Sequence, residues 1–290
     1  MTKEYALLVT ESKQRLYEFD ERELVVDGAR LRYAVAGDGL PVVLVHGLGG
    51  TIENWRGLAP ALARRHRVLV PDLPGHGHSA PLPEAGHLDD FAEVVLAMAE
   101  AEGIGSAVWI GHSLGGTVAL RAAVRRPDAV RGVVLAAAAG IGSSTRLGRV
   151  TVTLMGLAQP GKAIAPFRRT VARSRLGRRL AFDWWGVGDA AALEPELAEG
   201  FLEGPAHHTK TRQAGRALLA TDPLDGLERI ACPVLCLWGA SDKWVKLDDG
   251  VEYARRLGAP LRTIAGCGHL LIGERPDVCL AAIEEFVAAL

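Results

Sequence analysis

Serine, histidine and aspartate can together turn a hydroxyl into a nucleophile, and this chain places one of each where such a set could converge. Ser113 lies in Gly111-His112-Ser113-Leu114-Gly115. An apolar run, Ala107-Val108-Trp109-Ile110, precedes it, and a helical pattern from Gly116 to Val124 follows. Strand, sharp turn and helix is the context that gives G-x-S-x-G its meaning. The turn forces the serine into a strained backbone conformation and lifts its hydroxyl above a sheet. Glycines at 111, 115 and 116 let neighbouring backbone pass close by. The helix starts at the serine, so its first amides and its dipole favour negative charge there.

A serine hydroxyl is a poor nucleophile until a base takes its proton, and the base needs a partner to orient it. For a strand–turn–helix serine the expected chain order is serine, acid, histidine. Asp242 follows the apolar run Pro233–Trp238, in Gly239-Ala240-Ser241-Asp242. His269 follows Leu261–Ile264, in Gly266-Cys267-Gly268-His269. Both come just past expected strands, as Ser113 does, and parallel strands bring such ends together. Asp248 and Asp249 compete with Asp242 but read as solvated acids of a helix start. Asp222 and Asp225 are weaker rivals. Among the nine histidines, His112 flanks the serine but should point away from its base. His46 reads as a structural hydrogen-bonder. His207-His208 has no nearby cysteine or paired carboxylate, so no metal site is expected.

Acyl transfer also needs donors aimed at the developing oxyanion, and one missing donor typically costs roughly 10²–10³ in rate. The amides of Leu114 and Leu48 are the candidates. Glycines at 47, 49 and 50 allow the loop bearing Leu48 to curl toward the serine. That loop departs from the G-x-G-x-x-G dinucleotide fingerprint. Gly47, His112, Leu154 and Leu270 are the candidate substrate contacts.

The elements that must position these residues alternate between two periods. Glu23–Val26 and Leu31–Ala36 flank Asp27-Gly28 and read as a hairpin. Pro41–Val45 is a continuous apolar run, suited to a strand buried on both faces of a parallel sheet. Val68–Val70, Ala107–Ile110, Val133–Ala136, Pro233–Trp238 and Leu261–Ile264 continue the strands. Helical patterns fill Asn54–Arg65, a stretch that Asp89 can cap and that runs to about Glu102, about Asp248–Leu257 and Asp277–Leu290. The expected fold class is α/β, a mostly parallel sheet of about six strands covered by helices on both faces, with an antiparallel N-terminal pair. From 141 to 222 no convincing strand occurs. That stretch reads as a helical insertion on the carboxyl edge of the sheet, where such folds bind ligands. Residues 1–22 read as an arm or a short amphipathic helix.

Between 143 and 180 the chain carries nine lysines and arginines and no acid. An ordinary solvated face partly paired with Asp183, Asp189, Glu194, Glu196 and Glu199 is the favoured reading. The sharper one turns part of the stretch toward the pocket mouth, with Val150, Val152, Leu154, Met155 and Leu157 lining an acyl site. The whole chain of 290 residues has a net charge of −1, which argues against nucleic acid as its main partner. The four cysteines all lie in the last quarter with no framework or zinc spacing, so no disulfide is expected. Ala6–Val9 is too short for a signal peptide or membrane span, which makes the cytoplasm the default expectation.

Taken jointly, the chain resembles a capped member of the α/β-hydrolase superfamily. The matching pieces are His46-Gly47-Leu48-Gly49, Asp72 to Ser79, Gly111 to Gly116, Gly239 to Asp242 and Gly268-His269. They run in order over about 23–140 and 223–290. The resemblance implies a hydrolase core of 1–140 and 223–290, a helical cap or lid over 141–222, and no cofactor. It implies a Ser113–His269–Asp242 triad acting on a small, apolar acyl substrate, most simply a carboxylic ester. Serine rather than aspartate at 113 speaks against haloalkane dehalogenases and epoxide hydrolases. Carbon–carbon bond hydrolases of ring-cleavage diketones share the triad and cap. They often carry tryptophan after the histidine, where this chain has Leu270. Thioesterase, lactonase and perhydrolase activities, and a ligand receptor on the same fold, stay open. So does the oligomeric state, for which a homodimer is one option.

Overall fold

Continuous apolar runs become the buried centre of one sheet. The computed structural model describes residues 5–8, 19–145, 148–150, 152–153, 161–208 and 210–290. Its strands are β1 (Tyr5–Leu8), β2 (Asp20–Val26), β3 (Ala29–Ala36), β4 (Leu40–Val45), β5 (His66–Pro71), β6 (Ala107–His112), β7 (Val130–Ala136), β8 (Val234–Gly239) and β9 (Leu261–Ile264). They form a nine-stranded sheet in the order β1-β2-β3-β5-β4-β6-β7-β8-β9. The first three strands are antiparallel, and β3 meets β5 antiparallel. From β5 to β9 every pairing is parallel. β6 and β8 are buried along their whole length, as strands covered on both faces must be.

Parallel pairing sends all six chain exits to one edge, and connecting loops gather there. Between β7 and β8 the described residues form helices and turns, with no strand among them. The longest of these helices are Pro195–His207 and Thr211–Ala220.

The structure departs from the sequence expectation at three places. The N-terminal stretch contains an edge strand rather than a helix: β1 pairs with Glu23–Val26, giving three antiparallel strands instead of two. The expected helix over Asn54–Arg65 is broken into a 3₁₀ turn, Ile52–Trp55, and one α-turn, Ala59–Leu62. Pro60 has no N–H to continue an i→i−4 ladder. A Cβ on Gly57 would sit only 3.1 Å from Pro276 and 3.3 Å from the Ile272 carbonyl, so the chain is pressed against that segment here. Trp55, Leu58 and Leu62 are nonetheless fully buried. Finally, Leu88–Ala101 is capped at His87, not at Asp89. Asp90 accepts the Gly86 and His87 N–H groups, and Asp89 is ion-paired with Arg121.

All four cysteines are free thiols. Burial pushes the Cys236 and Cys279 thiols up to about 12, and Cys232 is the most exposed. A thiol-specific disulfide reagent is therefore expected to modify Cys232 ahead of the other three in the native protein. Reductant should leave Tm unchanged. A fall of several degrees would reveal a bridge, since native bridges contribute about 2–5 kcal/mol.

Candidate active site

Ser113 occupies the turn between β6 and the helix Leu114–Arg125, at φ 53° and ψ −120°. A non-glycine residue rarely adopts a positive φ, and such strain persists only where the surroundings hold it. Here Ser113 N donates to Ala136 O at 3.0 Å, and Ser113 O accepts from Gly116 N and Ala139 N. Close backbone approach makes the flanking glycines necessary. A Cβ on Gly115 would fall 2.1 Å from Val45 O, and one on Gly111 would fall 2.2 Å from Gly115 O.

The three separated residues come together at the carboxyl edge of the sheet. Ser113 Oγ lies 3.1 Å from His269 Nε2. His269 Nδ1 lies 2.8 Å from Asp242 Oδ2. The other carboxylate oxygen of Asp242 accepts the Trp244 and Val245 N–H groups at 2.8 and 2.9 Å, so the acid is fixed by its own turn. Its side chain is fully buried, whereas that of His269 retains some exposure. Asp249, the rival acid, instead accepts from Gly142 N, and Asp248 lies at the cavity wall.

The loop after β4 is oriented by His46. Its Nε2 accepts from Leu73 N at 3.0 Å, which leaves Nδ1–H to donate to Gly47 O at 2.8 Å. Gly50 N donates to the same carbonyl. A trans peptide points its N–H opposite its C=O, so fixing the Gly47 carbonyl aims the Leu48 amide the other way. The Leu114 amide opens the helix, where no intrahelical acceptor exists. Burial lowers the His46 pKa to about 3 and so disfavours the imidazolium form.

Contrary to the sequence expectation, His112 does not point away from the base: its ring centroid lies 5.0 Å from that of His269. Its Nε2 donates to the backbone carbonyl of His269 at 2.9 Å, and burial followed by the neighbouring His269 depresses its pKa to about 3. His208 bridges two loops, accepting from Gly77 N and donating to Gly49 O. Among the described residues no group of three or more His, Cys, Asp or Glu is placed to hold a metal ion.

A cavity of about 460 Å³ opens at the serine. Gly47, Leu48, His112, Ser113, Leu114, His269 and Leu270 line it. Leu154, Met155 and Leu157 lie outside the described residues. Val152, Trp185, Phe201, Leu218 and Trp244 supply further apolar wall. Val152 is one of the acyl-site candidates named from the sequence, whereas Val150 is exposed. Trp185, Phe201 and Leu218 could not be singled out locally, because their facing depends on how the 141–222 segment folds, and Trp244 enters from the loop after β8. None of the described members of the basic stretch lines this cavity. Arg168 is ion-paired with Glu203, Arg169 with Glu199, and Arg179 with Asp183. Arg178 donates to the Ala172 and Ala191 carbonyls. The paired, ordinary face is what these contacts describe.

Comparison with known proteins places this geometry in a family. The family model described as "alpha/beta hydrolase fold" matches residues 41–276. A 2-hydroxymuconate semialdehyde hydrolase of Pseudomonas sp. (strain CF600) is 35% identical over 273 residues, covering 92% of this chain and 93% of that protein. A pimeloyl-[acyl-carrier protein] methyl ester esterase of Vibrio cholerae is 32% identical over 213 residues, 73% of this chain and 80% of that protein. The dihydrolipoyllysine-residue acetyltransferase component of the acetoin cleaving system of Pseudomonas putida is 45% identical over 121 residues. That match spans 41% of this chain and only 33% of the relative. The solved structure of esterase RhEst1 from Rhodococcus sp. ECU1013 superposes with a TM-score of 0.70 at 25% identity, covering 93% of this chain and 99% of that one. With its parallel sheet, strained serine turn and matched residues, the chain belongs to the α/β-hydrolase family.

Proposed function

We propose that the protein is a serine hydrolase cleaving a carboxylic ester through an acyl-enzyme, with 141–222 as a helical cap over the site. The observation that carries this reading is the hydrogen-bonded line from Ser113 Oγ through His269 to Asp242, 3.1 and 2.8 Å long, with Ser113 and His269 lining the cavity. Ser113 Oγ attacks the ester carbonyl while His269 Nε2 takes its proton. The carbonyl oxygen becomes an oxyanion facing the Leu48 and Leu114 amides. Collapse expels the alcohol, which leaves with the proton held on His269. Water then repeats the sequence on the acyl-enzyme and releases the acid. Asp242 keeps His269 in the Nδ1–H tautomer and stabilises the imidazolium.

The apolar wall formed by Leu48, Val152, Phe201, Leu218 and Leu270 fits a hydrocarbon acyl chain. A series of p-nitrophenyl esters of increasing acyl length tests this. We expect kcat/KM to rise from acetate to a medium chain and then fall once the cavity is filled. A flat profile would remove the acyl-chain reading of the wall, and no turnover of any ester would remove the ester reading.

The similarity to the 2-hydroxymuconate semialdehyde hydrolase over nearly the whole chain favours a second reading, hydrolysis of a carbon–carbon bond in a ring-cleavage diketone. Loss of the coloured dienolate of such a compound at a rate above that of the best ester would select it.

A further inference from the structure

Glu274 is a half-buried carboxylate that the triad does not use. It ends the short helix Leu271–Glu274 that follows His269. Oε2 accepts Gly268 N at 2.9 Å and Gly188 N at 2.7 Å, and Oε1 accepts Leu270 N at 3.1 Å. Gly268 and Leu270 are the residues on either side of His269. Gly188 belongs to the 141–222 segment. His269 N itself donates to Gly186 O at 3.0 Å in the same segment. Three consecutive amides, 268 to 270, are thus spoken for, alternately by Glu274 and by the segment above.

The two backbones touch with nothing between them. A Cβ on Gly268 would fall 1.8 Å from Gly186 O, and one on Gly188 would fall 2.1 Å from Gly266 O. All three donors to Glu274 are uncharged. The ionisable groups around it are Asp242, Arg275, Cys267 and Cys279. Arg275 is itself ion-paired with Asp277. Burial raises the Glu274 carboxyl above the ordinary glutamate range, against the pull of those three amides. Holding a carboxylate there has a cost, and the cost is offset only while the amides stay in place.

We propose that Glu274 is a positioning residue, a clasp that locks the loop carrying His269 to the cap so that the imidazole stays in line between Ser113 and Asp242. Glu274 does not line the cavity, so its removal should spare substrate binding and act on the proton transfer. The inference rests on His269 being the base.

The test uses the full-length protein and counts active sites by the burst of p-nitrophenol. In Glu274→Ala, kcat per titrated site should fall ~10²-fold, the size expected for about 1 Å of misplacement. KM should stay within about twofold, as uniform binding is untouched. Glu274→Gln keeps one acceptor but turns an NH₂ toward an N–H donor, so it should fall between the wild type and Glu274→Ala while Tm holds. Gly188→Ala attacks the same clasp from the cap side and should reproduce the kcat loss. If kcat per titrated site stays within twofold of wild type in both Glu274 variants, the clasp is not a positioning device. A loss seen only as fewer titratable sites or a lower Tm would likewise reduce Glu274 to a stability residue. Should Ser113→Ala retain turnover, the hydrolase reading itself fails, a result separate from either of these.

Discussion

Ser113→Ala, His269→Ala and Asp242→Asn are each expected to lower kcat by about 10⁴–10⁶ while KM changes little, because the lost interactions exist only as the proton moves. The double variant Ser113→Ala/His269→Ala should be no worse than the poorer single one, since a base without its nucleophile does nothing. Asp242→Asn is the most informative of the set. Its carboxylate oxygens are split between His269 Nδ1 at 2.8 Å and the amides of Trp244 and Val245. An amide nitrogen facing either partner would favour the wrong imidazole tautomer or break the turn. Near wild-type kcat in Asp242→Asn would remove Asp242 as the orienting acid and reopen Asp248 and Asp249, both at the cavity wall.

Gly115→Ala is expected to cost much stability for a single added methyl group. Its Cβ would overlap the backbone oxygens of Val45 and His46, at 2.1 and 2.6 Å. Neither oxygen belongs to a side chain that can swing aside. The helix Leu114–Arg125 would have to back away from β4 and carry Ser113 with it. Overpacking in cores typically costs about 1–3 kcal/mol and occasionally more. Backbone contact belongs at the upper end, so a Tm lower by roughly 5–10 °C is expected, with kcat falling as well. Gly105→Ala is the control, because nothing lies within 4 Å of its added Cβ. Equal Tm values for the two variants, measured by calorimetry, would contradict the close-packed turn.

Both predictions concern features legible in the sequence, and the reason is physical. A strained turn needs small neighbours, so Gly111, Gly115 and Gly116 announce it at short range. Parallel strands buried on both faces need unbroken apolar runs, so β4, β6 and β8 stand out from composition alone. Asp242 could be picked because it stands three residues past such a run, β8, and His269 because it comes shortly after the last expected strand, Leu261–Ile264, although that strand is mixed in character and lies at the sheet edge. What the sequence withheld depends on contacts between distant segments. Tyr5–Leu8 becomes a strand only because β2 offers an edge to pair with. The helix expected over Asn54–Arg65 breaks where Gly57 presses on Ile272 and Pro276, over 200 positions away. Glu274 looks like one more helix acid in Gly273-Glu274-Arg275-Pro276. Only the fold brings Gly188 to it. The apolar cavity wall shares this property, since Trp185, Phe201 and Leu218 face inward through tertiary packing and not through any local pattern.

The most direct test of the account is capture of the acyl-enzyme. Mixing the protein with a p-nitrophenyl ester in excess and quenching in acid within the first turnovers should trap one acyl group per chain. Peptide mass spectrometry should then find the mass increase on the peptide containing Ser113. In His269→Ala the trapped fraction should be close to zero, and in Ser113→Ala it should be absent along with turnover. Steady release of p-nitrophenol from Ser113→Ala at the wild-type rate, or an acyl group carried on any residue other than Ser113, would contradict a serine nucleophile at this site.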